Sequence, residues 1–87
     1  MASYKLVFKK SVAKDLRAIP NPDIKRLLSR IEALADNPRA DDSIKLSGQE
    51  RYRVRQGDYR IIYEIHDDRL LVLVLAVGHR SKVYQSR

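Results

Sequence analysis

Three arginines surround one predicted turn in the stretch YRVRQGDYR, residues 52–60. Arg53 and Arg55 precede the Gly-Asp pair of this stretch, and Arg60 follows it. Arginine stays charged and donates bidentate hydrogen bonds to phosphate, so such a cluster suits the binding of a phosphate ester. The alternative is that the charges only protect a sheet edge from aggregation.

A second group of chemically active side chains follows a glycine near the C-terminus. The group comprises His79, Arg80, Lys82 and Tyr84. Cationic side chains bind phosphate, whereas histidine and tyrosine can transfer protons. The same residues could instead form a basic tail with one anchoring aromatic, and their spacing alone does not choose between the two.

The composition is that of a small, strongly basic domain. The 87 residues carry a net charge of +7, so we expect a polyanion or an acidic protein as partner. There is no cysteine, which excludes disulfides and thiolate metal sites, and two histidines are too few for a convincing metal site. We therefore expect no metal and no cofactor.

The longest apolar run, residues 70–77, is far shorter than the about 20 residues that span a bilayer, and no signal peptide is evident. We expect a cytoplasmic protein without membrane contact.

Hydrophobic periodicity predicts an α+β fold in one domain over residues 1–87. A strand over residues 4–8 precedes two helices, which end at Pro20 and before Asn37 and have Ser11 and Asn21 as predicted N-caps. Residues 37–50 are expected to form a loop. Strands are predicted over residues 51–56, 59–66 and 69–78, with two-residue turns at Gly57-Asp58 and Asp67-Asp68. The result is a four-stranded sheet with a helical hairpin on one face and the last strand in its interior.

The Gly57-Asp58 turn predicts the register of the arginines. It pairs Arg55 with Arg60 and places both on one face with Arg53, while Val54, Tyr59, Ile61 and Tyr63 point to the helices. Directly opposed like charges destabilise a strand pair by a few tenths to about 1 kcal/mol. The cluster therefore predicts an anion bound in the functional state.

Taken together, YRVRQGDYRIIYEI and VLAVGHRSKVY resemble the RelE toxins of bacterial type II toxin–antitoxin systems, in the wider RelE/ParE superfamily. The resemblance covers nearly the whole chain, including the KLSG segment at residues 45–48. The presence of Arg60, Arg80 and Tyr84 together favours the RNA-cleaving branch over the gyrase-poisoning ParE branch.

The resemblance implies an endoribonuclease that enters the ribosomal A site, cleaves the mRNA codon there and inhibits translation. Arg60 and Arg80 match arginines that contact the scissile phosphate, and Tyr84 matches a catalytic tyrosine near the 2′-hydroxyl. Arg53 and Arg55 match basic residues of the active face that are lysines in the best-known member. The chain also departs from that member in two other ways. That member has a lysine at the position of His79, and the spacing between Arg80 and Tyr84 is shorter in this chain.

The resemblance also implies partners. Such toxins are held by a RelB-like antitoxin whose flexible segment wraps the toxin, and Ile62 and Leu73 are candidate contacts on the arginine side of the sheet. DNA is expected as a partner only indirectly, through the antitoxin complex. Two rival functions stay open: a ParE-like inhibitor of DNA gyrase on the same fold, and a non-catalytic module that binds RNA or the ribosome.

Overall fold

The computed structural model describes residues 3–46 and 50–79, in which two helices pack on one face of a five-stranded mixed sheet. This α+β architecture confirms the predicted fold class. The elements are β1 (Lys5–Phe8), α1 (Lys10–Arg17), α2 (Asn21–Asp36), β2 (Ile44–Lys45), β3 (Arg51–Gln56), β4 (Tyr59–His66) and β5 (Leu71–His79). None of the helices in these ranges is long and apolar enough to cross a membrane.

The strand order is β1-β5-β4-β3-β2, with β1 parallel to β5 and the other neighbours antiparallel. The interior position of β5 confirms the prediction drawn from its apolar residues. The predicted strand count of four is wrong, because Ile44 and Lys45 pair with β3 inside the segment expected to be a loop. Two residues are too few to show an alternating pattern, so the sequence gives no signal for β2.

The core lies between the helices and one face of the sheet. Leu27, Ile31 and Leu34 of α2 recur at helical spacing and are buried. They meet buried residues of the interior strands, Ile61, Tyr63, Ile65, Val72, Val74 and Val77. Burial raises the pKa of Tyr63 to about 12, and its hydroxyl donates to the carbonyl of Pro38 at 2.6 Å.

Both predicted N-caps are wrong. Helix α1 begins at Lys10, so Ser11 lies in its first turn and Lys9 holds the cap position without a side-chain hydrogen bond. Helix α2 begins at Asn21. The carbonyl of Pro20 already accepts the N–H groups of Asp23 and Ile24, so the helix starts one residue earlier than the cap pattern suggested.

The turn between β4 and β5 also differs from the prediction. It spans residues 67–70 instead of two residues, and Leu70 adopts a left-handed φ of 50°. Asp67 in this turn accepts hydrogen bonds from Tyr4 at 2.7 Å and from Arg39 at 2.7 and 3.1 Å. These contacts join the turn to the start of β1 and to the segment after α2.

Candidate nucleic-acid interface

Arg53, Arg55 and Arg60 project from the side of the sheet opposite the helices, and we call this surface the arginine face. Arg55 lies opposite Arg60 in the β3–β4 pair, as the sequence predicted. The turn residue Gly57 has a φ of 61°, a conformation that glycine adopts without steric cost. Because opposite residues of an antiparallel pair share a face, the turn brings the arginines together.

The arginines differ in exposure. Arg55 is exposed and Arg53 partly exposed, whereas Arg60 is only 9% exposed. The arginine face is therefore not uniformly exposed, because Arg60 is nearly buried. It lies in the interior strand β4, between Arg55 of β3 and Gly78 of β5. A guanidinium surrounded by little water attracts an anion more strongly than an exposed one.

The same side of the sheet carries a charge-balanced patch next to the arginine face. Glu64 accepts a hydrogen bond from Arg51 Nε at 3.2 Å and lies 3.0 Å from Nε2 of His66. Burial alone would raise the pKa of Glu64, but the hydrogen bonds with His66 and Arg51 outweigh it and hold the pKa below its usual value. Strand alternation along β4 would have placed Glu64 and His66 here, yet sequence reasoning did not single them out.

Ile62 and Leu73 lie on this side as predicted. Leu73 is directly opposite Glu64, and Ile62 is opposite Arg53 on β3 and Ala76 on β5. Both side chains are half-buried. Ile62 lies between Glu64 and Arg60 along β4, whereas Leu73 lies beside Glu64.

His79 does not lie on the arginine face. It lies opposite Tyr59, whose ring it meets edge-on at a centroid distance of 6.0 Å, on the helix side of the sheet. Burial, followed by the nearby Asp23, raises the pKa of Tyr59. The irregularity in the β4–β5 register between Ile62 and Tyr63 explains this placement, because one extra residue in a strand reverses the faces of all residues beyond it.

The remaining predicted site residues, Arg80, Lys82 and Tyr84, lie outside the described residues. Strand β5 ends at His79, one residue after Gly78, which pairs with Arg60.

Comparisons with known proteins agree on one group of toxins. The family model described as the ParE toxin of type II toxin–antitoxin system, parDE, matches residues 6–84. Toxin RelE3 of Methanocaldococcus jannaschii is 32% identical over 85 residues, which cover 92% of this chain and 94% of that protein. The mRNA interferase toxin RelE of Escherichia coli is 28% identical over 87 residues, covering 94% of this chain and 90% of that protein.

A solved structure shows the same fold. The crystal structure of the toxin–antitoxin complex RelBE2 from Mycobacterium tuberculosis contains a chain that superposes with a TM-score of 0.83 at 25% identity. The match covers 93% of this chain and 95% of that chain.

Proposed function

Because the chain belongs to the RelE family of toxins, within the RelE/ParE superfamily of type II toxin–antitoxin systems, we propose that it is a ribosome-dependent endoribonuclease. It cleaves mRNA in the ribosomal A site and thereby inhibits translation. The observation that carries this proposal is the pairing of Arg55 with the buried Arg60 on one open side of the sheet. The name of the Escherichia coli relative, an mRNA interferase, supports it.

The proposed reaction uses the nucleophile that RNA itself provides. The 2′-hydroxyl attacks the adjacent phosphorus, the P–O5′ bond breaks, and the products are a 2′,3′-cyclic phosphate and a 5′-hydroxyl. No metal is required, because the enzyme needs to orient the hydroxyl, accept its proton, stabilise the charge on phosphorus and return a proton to the departing O5′. Arg60 and Arg80 supply the charge, and Arg53, Arg55 and Lys82 hold the flanking phosphates.

Tyr84 is our choice for the general base. Arginine is too weak a base for this role, and neighbouring guanidinium groups favour the phenolate form of a tyrosine. His79 is the rival base in chemical terms, since imidazole titrates near neutral pH. The position of His79 beside Tyr59 on the helix side supports Tyr84 over His79.

Ribosome dependence fits the shortage of groups that could orient a single strand. Binding of free single strands relies on aromatic stacking platforms, and two of the aromatic side chains, Tyr52 and Tyr63, are buried in the core. The ribosome would hold the codon while this small domain supplies the cationic pocket. We expect naked RNA to be cleaved poorly.

Mapping of 5′ ends on an mRNA translated in a purified system tests the function. We expect in-frame breaks at the A-site codon that carry a 5′-hydroxyl and that disappear with Tyr84→Ala or Arg80→Ala. Retained ribosome or RNA binding by Tyr84→Ala would separate a catalytic site from a purely binding one. Normal cleavage by both variants would contradict the site assignment, and the absence of cleavage with bound RNA would favour the binding module.

Inhibition of DNA gyrase is the second candidate, because the matching family model is described as the ParE toxin. Its signature is accumulation of cleaved DNA–gyrase complexes while translated mRNA stays intact. The same preparation is therefore to be added to a gyrase cleavage assay. Gyrase-dependent DNA breaks without mRNA breaks would replace the ribonuclease proposal.

A RelB-like antitoxin is the proposed protein partner. Ile62 and Leu73 offer one apolar contact surface beside the arginine face. A groove of about 380 Å³ between α1 and α2 offers another, and there Phe8 is 42% and Leu28 37% exposed. Lys9 and Lys10 on its rim and the net charge of +7 disfavour a second copy and favour an apolar segment flanked by carboxylates.

Co-expression with a RelB-like antitoxin tests this groove. Leu28→Ser is expected to weaken the complex, because it removes apolar surface from the groove. Leu70→Ser is the matched control, since Leu70 is 45% exposed but does not line the groove. Equal affinities of the two variants would show that the antitoxin does not use this groove.

A further inference from the structure

Asp15 occupies a position on the side of helix α1 that faces the core. It follows Val12 by three residues and precedes Leu16, so the three side chains lie on one side of the helix. Val12 is 1% exposed and Leu16 packs against the same core, while Asp15 is half-buried. A carboxylate among apolar side chains is unfavourable unless a donor binds it. This position therefore calls for a specific partner.

The partner of Asp15 is a backbone amide of β5. The N–H group of Val77 donates to Oδ2 of Asp15 at 3.2 Å. Strand β1 pairs with β5 from Leu71 to Val74, and the N–H group of Lys9 donates to the carbonyl of Val74 at 2.9 Å. Helix α1 begins at the next residue, so the chain turns away from the sheet there. The carboxylate of Asp15 takes the place of a neighbouring strand at the end of β5.

This hydrogen bond lies just beyond the irregularity in the β4–β5 register. One step along β4, from Tyr63 to Ile62, corresponds to two steps along β5, from Val74 to Ala76. An extra residue of this kind disrupts the regular ladder, so the register of the residues that follow depends on further contacts. The hydrogen bond to Asp15 supplies such a contact.

The register beyond the irregularity decides what lies beside Arg60 on the arginine face. Gly78 is opposite Arg60, whereas Val77 is opposite Ile61, faces the helices and is 3% exposed. Without the extra residue in β5, Val77 would be opposite Arg60 and would share its face. Glycine adds no side chain to this surface. Valine would place a branched apolar group next to the guanidinium, where an anion has to approach.

We propose that Asp15 is a positioning residue for the arginine face, because its contact with the amide of Val77 holds the register in which Gly78 lies beside Arg60. Asp15 acts from α1, which packs on the opposite side of the sheet, and it takes no part in the chemistry. Its effect on cleavage rests on the proposed ribonuclease function. Its effect on the register is measured independently of that function.

Asp15→Leu tests the register by NMR. Leucine has about the size of aspartate and suits the apolar side of the helix, but it accepts no hydrogen bond. In the unmodified protein we expect slow exchange of the Val77 amide and cross-strand NOEs between Arg60 and Gly78. In Asp15→Leu we expect this amide to exchange about tenfold faster, which corresponds to the loss of one hydrogen bond, and the NOEs to disappear. Asp15→Asn keeps an acceptor oxygen and is expected to keep the NOEs.

The same variants test the effect on mRNA cleavage in a purified translation system. We expect Asp15→Leu to lower the maximal rate by about tenfold, because the reacting groups are misplaced. The ribosome concentration that gives the half-maximal rate is expected to stay the same, and Asp15→Asn is expected to restore the rate. Glu32→Leu removes the same charge at an exposed position of α2 and is the matched control, with no change expected.

Four results would overturn the inference. They are rapid exchange of the Val77 amide in the unmodified protein, unchanged NOEs in Asp15→Leu, normal cleavage by a variant whose register has changed, and an equal loss of cleavage in Glu32→Leu. If Asp15→Leu does not fold, the Val77 amide in Asp15→Asn decides. A neutral acceptor binds an amide more weakly than a carboxylate, so this amide is expected to exchange faster than in the unmodified protein, and an equal rate would overturn the inference.

Failure of the proposed function is distinguishable from these results. Absence of cleavage by the unmodified protein would refute the ribonuclease proposal. The exchange rates and NOEs would still decide whether Asp15 sets the register.

Discussion

Arg55 on β3 lies directly opposite Arg60 on β4, so two cationic side chains project side by side from the same face of the sheet. Their Cβ atoms are about 5 Å apart at such a position. The pair lowers the stability of the sheet when no anion is present. Bound phosphate offsets this repulsion, because it interacts favourably with both guanidinium groups.

Arg55→Thr is expected to stabilise the protein and weaken its activity. Removal of the like-charge pair raises the free energy of unfolding by a few tenths to about 1 kcal/mol, and threonine favours a strand. The same change removes a phosphate contact and lowers inhibition of translation. Urea denaturation and a cell-free translation assay measure the two effects.

Arg51→Thr is the matched control for this substitution. Arg51 lies on the same strand and face, but it is paired with Glu64. The gain in strand propensity is then equal, while a favourable ion pair is lost, so Arg51→Thr is expected to be less stable than Arg55→Thr. The opposite order would refute the destabilising role of the arginine pair.

Arg53→Gln is expected to reduce the salt dependence of RNA binding. Each phosphate neutralised by a cationic side chain contributes about 0.7 to the slope of log affinity against log salt for a single strand. Loss of one contact therefore lowers the slope by about 0.7, as measured with labelled heptauridylate. Lys25→Gln, at an exposed position of α2, is expected to leave the salt slope unchanged. An equal decrease in both variants would mean that RNA binding is not localised on the arginine face.

Asp67 is expected to make stability depend on pH in the acid range. Hydrogen bonds from Arg39, and to a lesser extent from Tyr4, lower the pKa of Asp67 from its ordinary value of 3.8 to about 2. A lowered pKa in the folded state gives stability that is fully present above the unfolded value and is lost as the pH falls through the folded value. The loss is therefore expected between about pH 4 and about pH 2.

Asp67→Asn tests this dependence by thermal unfolding followed by circular dichroism. The variant is expected to have a lower Tm near neutral pH and a smaller decrease in Tm between about pH 4 and about pH 2. Asp68→Asn, at an exposed neighbour in the same turn, provides the comparison. Identical pH profiles for the two variants would exclude the contacts of Asp67 as the cause.

The sequence was sufficient to predict the register of the arginine face, because Gly57-Asp58 is a strong local turn signal and alternation then places Arg53, Arg55 and Arg60. The burial of Arg60 could not be predicted in the same way. The burial of a side chain depends on its tertiary neighbours, which local sequence patterns do not encode. Arg80, Lys82 and Tyr84 stay predictions of the family resemblance.

The placement of His79 shows how a local irregularity defeats alternation. A regular two-residue turn after His66 would pair Arg60 with Leu75 and put His79 on the arginine face. The observed turn is two residues longer, which preserves the faces, but the irregularity beside Ile62 reverses them. No residue type in β5 predicts this irregularity. The longer turn is associated with the left-handed conformation of Leu70.

Leu70→Asn is expected to stabilise the protein. Leu70 has a φ of 50°, and this left-handed conformation is sterically unfavourable for leucine. Because its side chain is 45% exposed, burial of apolar surface offsets little of this strain. Asparagine tolerates this conformation better, and we expect a gain of up to about 1 kcal/mol in the free energy of unfolding, measured by urea denaturation. Leu28→Asn, at an exposed leucine within α2, is expected to be destabilising because asparagine has a lower helix propensity. A loss of stability in both variants would show that side-chain burial outweighs backbone strain at Leu70.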